Sequence, residues 1–497
     1  MCNTDRSECP DVSVPEIRIQ ARNTAPPRAD GEFVLYWMIA YRRTKWNFAF
    51  DRAIEWAREL GKPIVVLEAL RCDYPWANER LHQFVLDGMA ETFDVLEGSI
   101  VSYYPYVEGK PGAGKGLIEA LGKRACAIIT DDFPGFFLSR MIASAAKKVA
   151  VRLEAVDSNG LLPLRAAGAA FPTAHAFRRF LQKQLPMRFG ESPNPQPLSK
   201  LCIPRLAWLP EEITRRWPAA SVAKLRNPDS LVSLPIDHRV RGVATHGGGR
   251  AARATLKGFL SERLENYADL RNEPGQEATS RLSPYLHFGH MASHEIFAEL
   301  MKQETWSEEK VALRATGSKE GWWRVRPAAE AFLDQLITWR ELGFNMAAHQ
   351  SDYDKYESLP DWARATLAKH SRDERGDLYT LKDFTGARTH DPLWNAAQSQ
   401  LVSEGRLHNY MRMLWGKKIL AWSRSPEDAL EIMIELNNRY ALDGRDPNSY
   451  SGIFWCLGRY DRPWGPERPV FGTVRYMSSE NTARKFNVAG YLRKYGA

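Results

Sequence analysis

FVLYWMI at residues 33–39 is a continuous apolar run, and the residues after it decide the fold: an amphipathic stretch over 47–60, Gly61 and Pro63, then a second apolar run, PIVVLEAL at 63–70. Short apolar runs bounded by turn residues are strands buried on both faces, and a span with one apolar side is a helix lying across them. The same alternation continues with a helix over 78–96, IVSYYPYV at 100–107, a helix over 116–124 and ACAIITDD at 125–132. Strands that take turns with helices predict a parallel wound sheet, here a Rossmann-like α/β domain over residues 32–160.

Outward from this core the pattern changes twice. Residues 161–254 are rich in Pro and irregular polar residues, with FRRFLQKQL at 177–185 as one helix, and are expected to be an interdomain connector. From 255 the apolar spacing is helical, as in TLKGFLSERLENYADL (255–270) and EIFAELMKQ (295–303), which predicts an all-α domain over 255–497. Residues 1–31 are polar, lack the apolar core of a signal peptide and are expected to be a flexible extension. No apolar run is long enough to span a membrane. The six cysteines, at 2, 9, 72, 126, 202 and 456, form no C-x-x-C pair, so neither a zinc site nor a disulfide framework is legible and a reducing cytoplasm is expected. The net charge of +8 favours a polyanionic partner. Sixteen tryptophans are a heavy load for 497 residues and call for a role in packing or chemistry.

Four motifs carry candidate chemistry. GKPGAGKG (109–116) has the glycines and lysines of a phosphate-cradling loop but ends in Gly116 where a metal-holding Ser or Thr would stand, so a nucleotide hydrolase and a plain surface loop are both open. TSRLSPYLHFG (279–289), after YADLRNEPG (267–275), sets small hydroxyls at a helix start, suited to a pyrophosphate or to simple capping. RLHNYMRMLWGKKILAWSR (406–424) has no acid, and Arg412, Trp415, Ile419 and Trp422 fall on one helical side. That side is a core stripe or an aromatic relay, with Lys417, Lys418 and Arg424 towards solvent. In ELNNRYALDGRDPNSYSGIFWCLGRYDRPWG (435–465), Asp443, Arg445, Asp446 and Asn448 crowd one turn, either a solvated loop or, beside Arg412, a carboxylate–guanidinium pair for a heterocycle. The stretch 391–464 thus predicts a site where an aromatic cofactor meets nucleic acid.

With SRLSPYLHFG, FLDQLITWREL (332–342), THDPLWNAAQ (389–398), MRMLWGKKILAW (411–422), LDGRDPNSYSGIFW (442–455) and RYMS (475–478) in one order, the chain resembles the class II cyclobutane pyrimidine dimer photolyases of the photolyase/cryptochrome superfamily. The resemblance implies FAD in the helical domain, held by Tyr267, the loop Thr279, Ser280, Arg281, Leu282 and Ser283, and by Arg412, Asp443 and Arg445, with Asn437 at flavin N5. It implies a relay of Trp415 near the flavin, Trp394 in the middle and Trp422 near the surface. It implies a flipped-out dimer in DNA packed by Trp339, Trp455 and Met413 and hydrogen-bonded by Gln335, with Arg462 and Trp464 bracing the duplex and Lys417 and Lys418 on phosphates. Repair would run by electron transfer from the excited reduced flavin to the dimer, ring cleavage and return of the electron. The alternative is a flavin photoreceptor that repairs nothing. Two departures stand out: Gln335 replaces the family's glutamate, and MIAYRRTKWNFAF (38–50) lacks its Arg-Asp pair, so a second, antenna chromophore is left without assigned residues. A monomer without a metal is expected.

Overall fold

The computed structural model describes residues 13–496. Each of the four apolar runs becomes a strand, and two short strands that the sequence reading did not single out join them: β1 Ile19–Ala21, β2 Phe33–Met38, β3 Ile64–Leu70, β4 Ser102–Val107, β5 Ala125–Asp131 and β6 Leu153–Val156. They form one sheet in the order β1-β6-β5-β2-β3-β4, parallel throughout except for β1 against β6. Strands β2 and β5, in the middle, are buried along their whole length, as continuous apolar runs require. The first crossover helix, Phe48–Leu60, starts where the Asn47 side chain accepts the Ala49 N–H and ends at Gly61, whose φ of 62° suits a residue without a Cβ.

The expectation of a flexible extension over 1–31 is corrected from residue 13 onward; residues 1–12, with Cys2 and Cys9, lie outside the described residues. Ile19–Ala21 adds an antiparallel strand, and Arg18, fully buried, donates to the carbonyls of Asp157 and Leu161 beside the Asp157 carboxylate. A three-residue strand with a half-exposed burial pattern leaves no periodic trace in sequence.

The rest of the described chain is helical and irregular. The span expected as a connector carries the helix Ala174–Gln184 and several one-turn helices. After Gly249 helices dominate, and two of them widen into π-turns at Phe259–Arg263 and Asp334–Trp339. The sheet joins this part through buried polar groups: Arg340 donates to Asn159, and the Glu341 carboxylate accepts the N–H groups of Leu161 and Leu162 at 2.8 and 3.1 Å. Burial pushes the Glu341 carboxyl up to about 7, against the opposing pull of Arg340. No helix is long and apolar enough to cross a membrane, among the described residues.

Candidate functional site

The turn 442–446 organises the helical part. Gly444 is obligatory there, because a Cβ would meet the Asn437 carbonyl oxygen at 2.7 Å and the Asn438 backbone at 2.9 Å. Arg445 takes a left-handed backbone (φ 68°), held by its N–H donating to Asn438 Oδ1 at 2.8 Å. Asp446 then caps the helix Pro447–Trp455 through the Asn448 N–H. The result points Asp443 at Arg412, with Nη2 at 3.2 and 3.3 Å from the two carboxylate oxygens. Ser449, which sequence reasoning did not single out, ties the pair to Asn437: it accepts from Arg412 Nη1 at 3.4 Å and from Asn437 Nδ2 at 2.9 Å.

Arg412 and Asp443 line a cavity of about 420 Å³ together with Tyr267, Ser280, Leu282 and Ser283 on one side and Gln335, Trp339, Met413 and Trp455 on another. The π-turn Asp334–Trp339 carries Gln335 and Trp339, a widening of the helix of the kind that recurs at functional sites. The Gln335 amide has no hydrogen-bond partner among the described residues and is left to meet a ligand. Arg271 also lines the cavity and keeps a buried Nε without a partner. Hydroxyls, this guanidinium and the Arg412–Asp443 pair form a donor set fitted to an anionic, heteroaromatic molecule.

Several expected residues stand elsewhere. Arg281 turns outward to an ion pair with Glu277, and Thr279 and Asn437 are not among the residues that line the cavity, although Asn437 is tied to its wall through Ser449. Arg445, with His287 and Phe288, lines a second cavity of about 620 Å³ on the sheet side. The glycine loop 109–116 borders that second cavity, and its Gly114 N–H is taken by the Glu108 carboxylate at 2.9 Å; an acid in that place repels a phosphate, which removes the nucleotide-hydrolase alternative. Lys417 is corrected most sharply: far from reaching solvent, it is fully buried, donating to the Cys456 carbonyl at 2.7 Å and lying 5.0 Å over the Trp455 ring. Burial lowers its pKa to about 8. Lys418 pairs with Asp391 at 3.3 Å and rests on Trp422, so neither lysine stands out towards a backbone phosphate. The helix Asn409–Trp422 is buried nearly all round, which a reading of charge as solvent exposure cannot anticipate.

The three tryptophans of the expected relay are all buried. Trp415 Nε1 donates to Gln398 Oε1 at 2.9 Å, and Trp394 Nε1 donates to the Trp415 carbonyl at 3.0 Å. Trp394 is fixed from behind, since Asp391 caps its helix by accepting the N–H groups of Leu393 and Trp394. Its ring lies 6.1 Å from that of Trp422. Trp422 is 6 % exposed and therefore one ring below the surface, covered by Tyr379 at 5.6 Å and His390 at 5.0 Å. Outside the cavity, Trp464 donates to Asp461 and stacks under Arg462 and Arg475.

No family model matches the chain. The deoxyribodipyrimidine photo-lyase of Methanothermobacter thermautotrophicus is 32% identical over 481 residues, covering 96% of this chain and 97% of that one. Proteins of the same name from Arabidopsis thaliana and Potorous tridactylus are each 32% identical, over 92% and 93% of this chain and 88% and 80% of theirs. Among solved structures, a bacterial class III photolyase from Agrobacterium tumefaciens has a TM-score of 0.67 at 16% identity, covering 94% of this chain and 86% of that one, a likeness of fold. With such identity sustained over nearly the whole of several relatives, the chain belongs to the deoxyribodipyrimidine photo-lyase family of enzymes.

Proposed function

We propose that this chain is a class II photolyase that repairs cyclobutane pyrimidine dimers in DNA under light, with FAD as its resident cofactor. The observation that carries the reading is one cavity in which the Arg412–Asp443 pair faces the apolar surfaces of Trp339, Met413 and Trp455. Bound beside that pair, FAD would supply the electron that opens the cyclobutane ring when light excites its reduced form. Tyr267, Ser280 and Ser283, with Arg271, would hold its phosphates, and Asn437, oriented by Ser449, would answer the ring. A dimer stacks poorly in the duplex, so extruding it costs less than extruding normal bases. Trp339 and Trp455 would pack on its faces, and the free amide of Gln335 would donate to a base carbonyl.

Trp415, Trp394 and Trp422 support an inward electron path, because the indoles are desolvated and fixed at Nε1 or by ring packing. Tyr379, an oxidisable phenol that packs on Trp422 and is hydrogen-bonded to His390 at 2.7 Å, would extend this path towards the surface, with His390 placed to take its proton. The second cavity, lined by Trp37, Phe133, Phe136 and Phe288 and rimmed by both cations, Arg71, Arg140, Lys115 and Lys148, and acids, Asp73, Glu108 and Glu119, suits a flat antenna chromophore. A photoreceptor without repair has no observation in its favour, since relatives across the whole chain carry the repair enzyme's name.

Purified protein should carry a flavin spectrum and, under near-ultraviolet or blue light, restore a dimer-containing oligonucleotide to monomeric bases. A protein without flavin ends the reading. Flavin with no loss of dimers, measured by chromatography of the illuminated strand, turns it into the photoreceptor.

A further inference from the structure

Gln398 is a fully buried amide that lines neither of the two cavities. It stands one turn after Trp394 on the helix Pro392–Glu404, so the two side chains share a face. Its Oε1 accepts Trp415 Nε1–H at 2.9 Å, while Trp394 Nε1 donates back to the Trp415 carbonyl at 3.0 Å. Two helices thus clasp each other through two indole N–H groups, each ending on an amide oxygen. The way Gln398 points is fixed by its partner, because an indole N–H only donates and must meet the oxygen. The Nε2 of the same amide is then left buried without a partner among the described residues. A buried orphan donor costs stability that an apolar side chain of similar volume would not. The amide is therefore a poor choice for packing and a specific one for the Trp415 N–H.

We propose that Gln398 is a positioning residue for the tryptophan relay, its carbonyl holding Trp415 as a protonated radical so that the electron vacancy moves outward instead of staying beside the flavin. This rests on the reading of the three tryptophans as an electron path. In each inward transfer Trp415 gives one electron to the light-excited oxidised flavin and recovers one from Trp394, which recovers one from Trp422. Losing an electron turns an indole N–H from a very weak acid into a moderately strong one. An acceptor able to take that proton would convert Trp415 into a neutral radical, which draws an electron from Trp394 less readily. An amide carbonyl is too weak a base to do so, yet its hydrogen bond to the charged indole is about twice as strong as to the neutral one. Burial, which excludes competing water, strengthens it further. The same holds at Trp394, whose acceptor is a backbone carbonyl. Proton release is thereby confined to the outer end, where Tyr379 gives its electron to Trp422 and its proton to His390 Nδ1, 2.7 Å away. The balance closes: the flavin gains one electron, Tyr379 loses one, and one proton passes from Tyr379 to His390.

The test follows tryptophan radicals by transient absorption after a light pulse, in the flavin-loaded wild type, Gln398→Leu and Gln398→Met, with flavin absorbance and thermal midpoint checking the fold. The wild type should show the indole radical cation first, and its rise should be the same in light and heavy water, because the inner steps move electrons alone. In both variants the yield of separated charge should fall about tenfold, the factor by which losing a hydrogen bond to a charged group shifts an equilibrium. In protein with ¹⁵N-labelled tryptophan, the Nε1–H resonance of Trp415, assigned from Trp415→Phe, should move upfield in Gln398→Leu. An unchanged yield overturns the proposal, and so does a Trp415 resonance that stays in place. A neutral radical in the first signal of the wild type, or a rise slowed in heavy water, overturns it too, since either means that the proton leaves Trp415 early. Should neither variant fold, the isotope comparison and the identity of the first radical, both measured on the wild type, still decide. A wild type that forms no tryptophan radical overturns the relay itself, whereas one that does, alongside variants that do equally well, overturns only the role of Gln398.

Discussion

Lys417 is a cation held in a dry place by one carbonyl and one aromatic face. Its folded pKa, about 8, lies below the ordinary 10.5, so the folded state disfavours the charge. Below pH about 8 the cost is fully present. Between about 8 and 10.5 the unfolded chain keeps a proton that the folded chain has released, and stability rises with pH; above that window the cost is gone. Lys417→Met should abolish this rise, which amounts to on the order of 3 kcal/mol; urea midpoints of both proteins at the two ends of the window measure it. Gln335 is a second single-residue matter. Its amide can donate to a base carbonyl but has no carboxyl proton or negative charge to offer a dimer that has taken up an electron. Gln335→Glu should leave dimer binding within a few-fold and raise the quantum yield of repair, and equal yields in the two proteins would count against that account.

At the scale of elements, the helix Asn409–Trp422 shows what single-sequence reading reaches and where it stops. Its existence and the common side of Trp415 and Trp422 come from spacing, and the structure has the helix over those residues. Its surroundings do not, because a neighbour distant in sequence buries the side that carries Lys417. Gly416 marks that contact: a Cβ there would stand 2.5 Å from Cys456 Sγ and 2.9 Å from Met433 Sδ. Gly416→Ala gains ~1 kcal/mol of helix propensity and loses about 1–3 kcal/mol to overpacking. The net should be a modest destabilisation in thermal or urea unfolding, recovered by adding Cys456→Ala, which clears the space. The π-turn at Asp334–Trp339 is illegible for a different reason, since one extra residue in a helical turn leaves the apolar pattern of FLDQLITW intact. Ser449 is equally hidden, because a serine one turn into a helix looks like any other until Arg412 and Asn437 are seen to meet on it.

Over the whole molecule, the central strands were legible because strands buried on both faces must be apolar without interruption, and the helical half because its period persists for so long. The junction between them was not. It is made of buried polar groups, Arg340 with Asn159 and Glu341 with two backbone N–H groups, whose partners are some 180 positions apart in sequence. The two cavities likewise arise only once distant segments pack: Leu286 faces the smaller cavity while its neighbours His287 and Phe288 face the larger one. The short antiparallel strand β1 carries a consequence of its own. It occupies the outer side of β6, a strand of four residues buried along its length. A shortened chain starting after Ala21 would present β6 as a bare row of unpaired N–H and C=O groups, an invitation for copies of the protein to zip together edge to edge. Three residues at the start of the fold thus act as a guard against self-association.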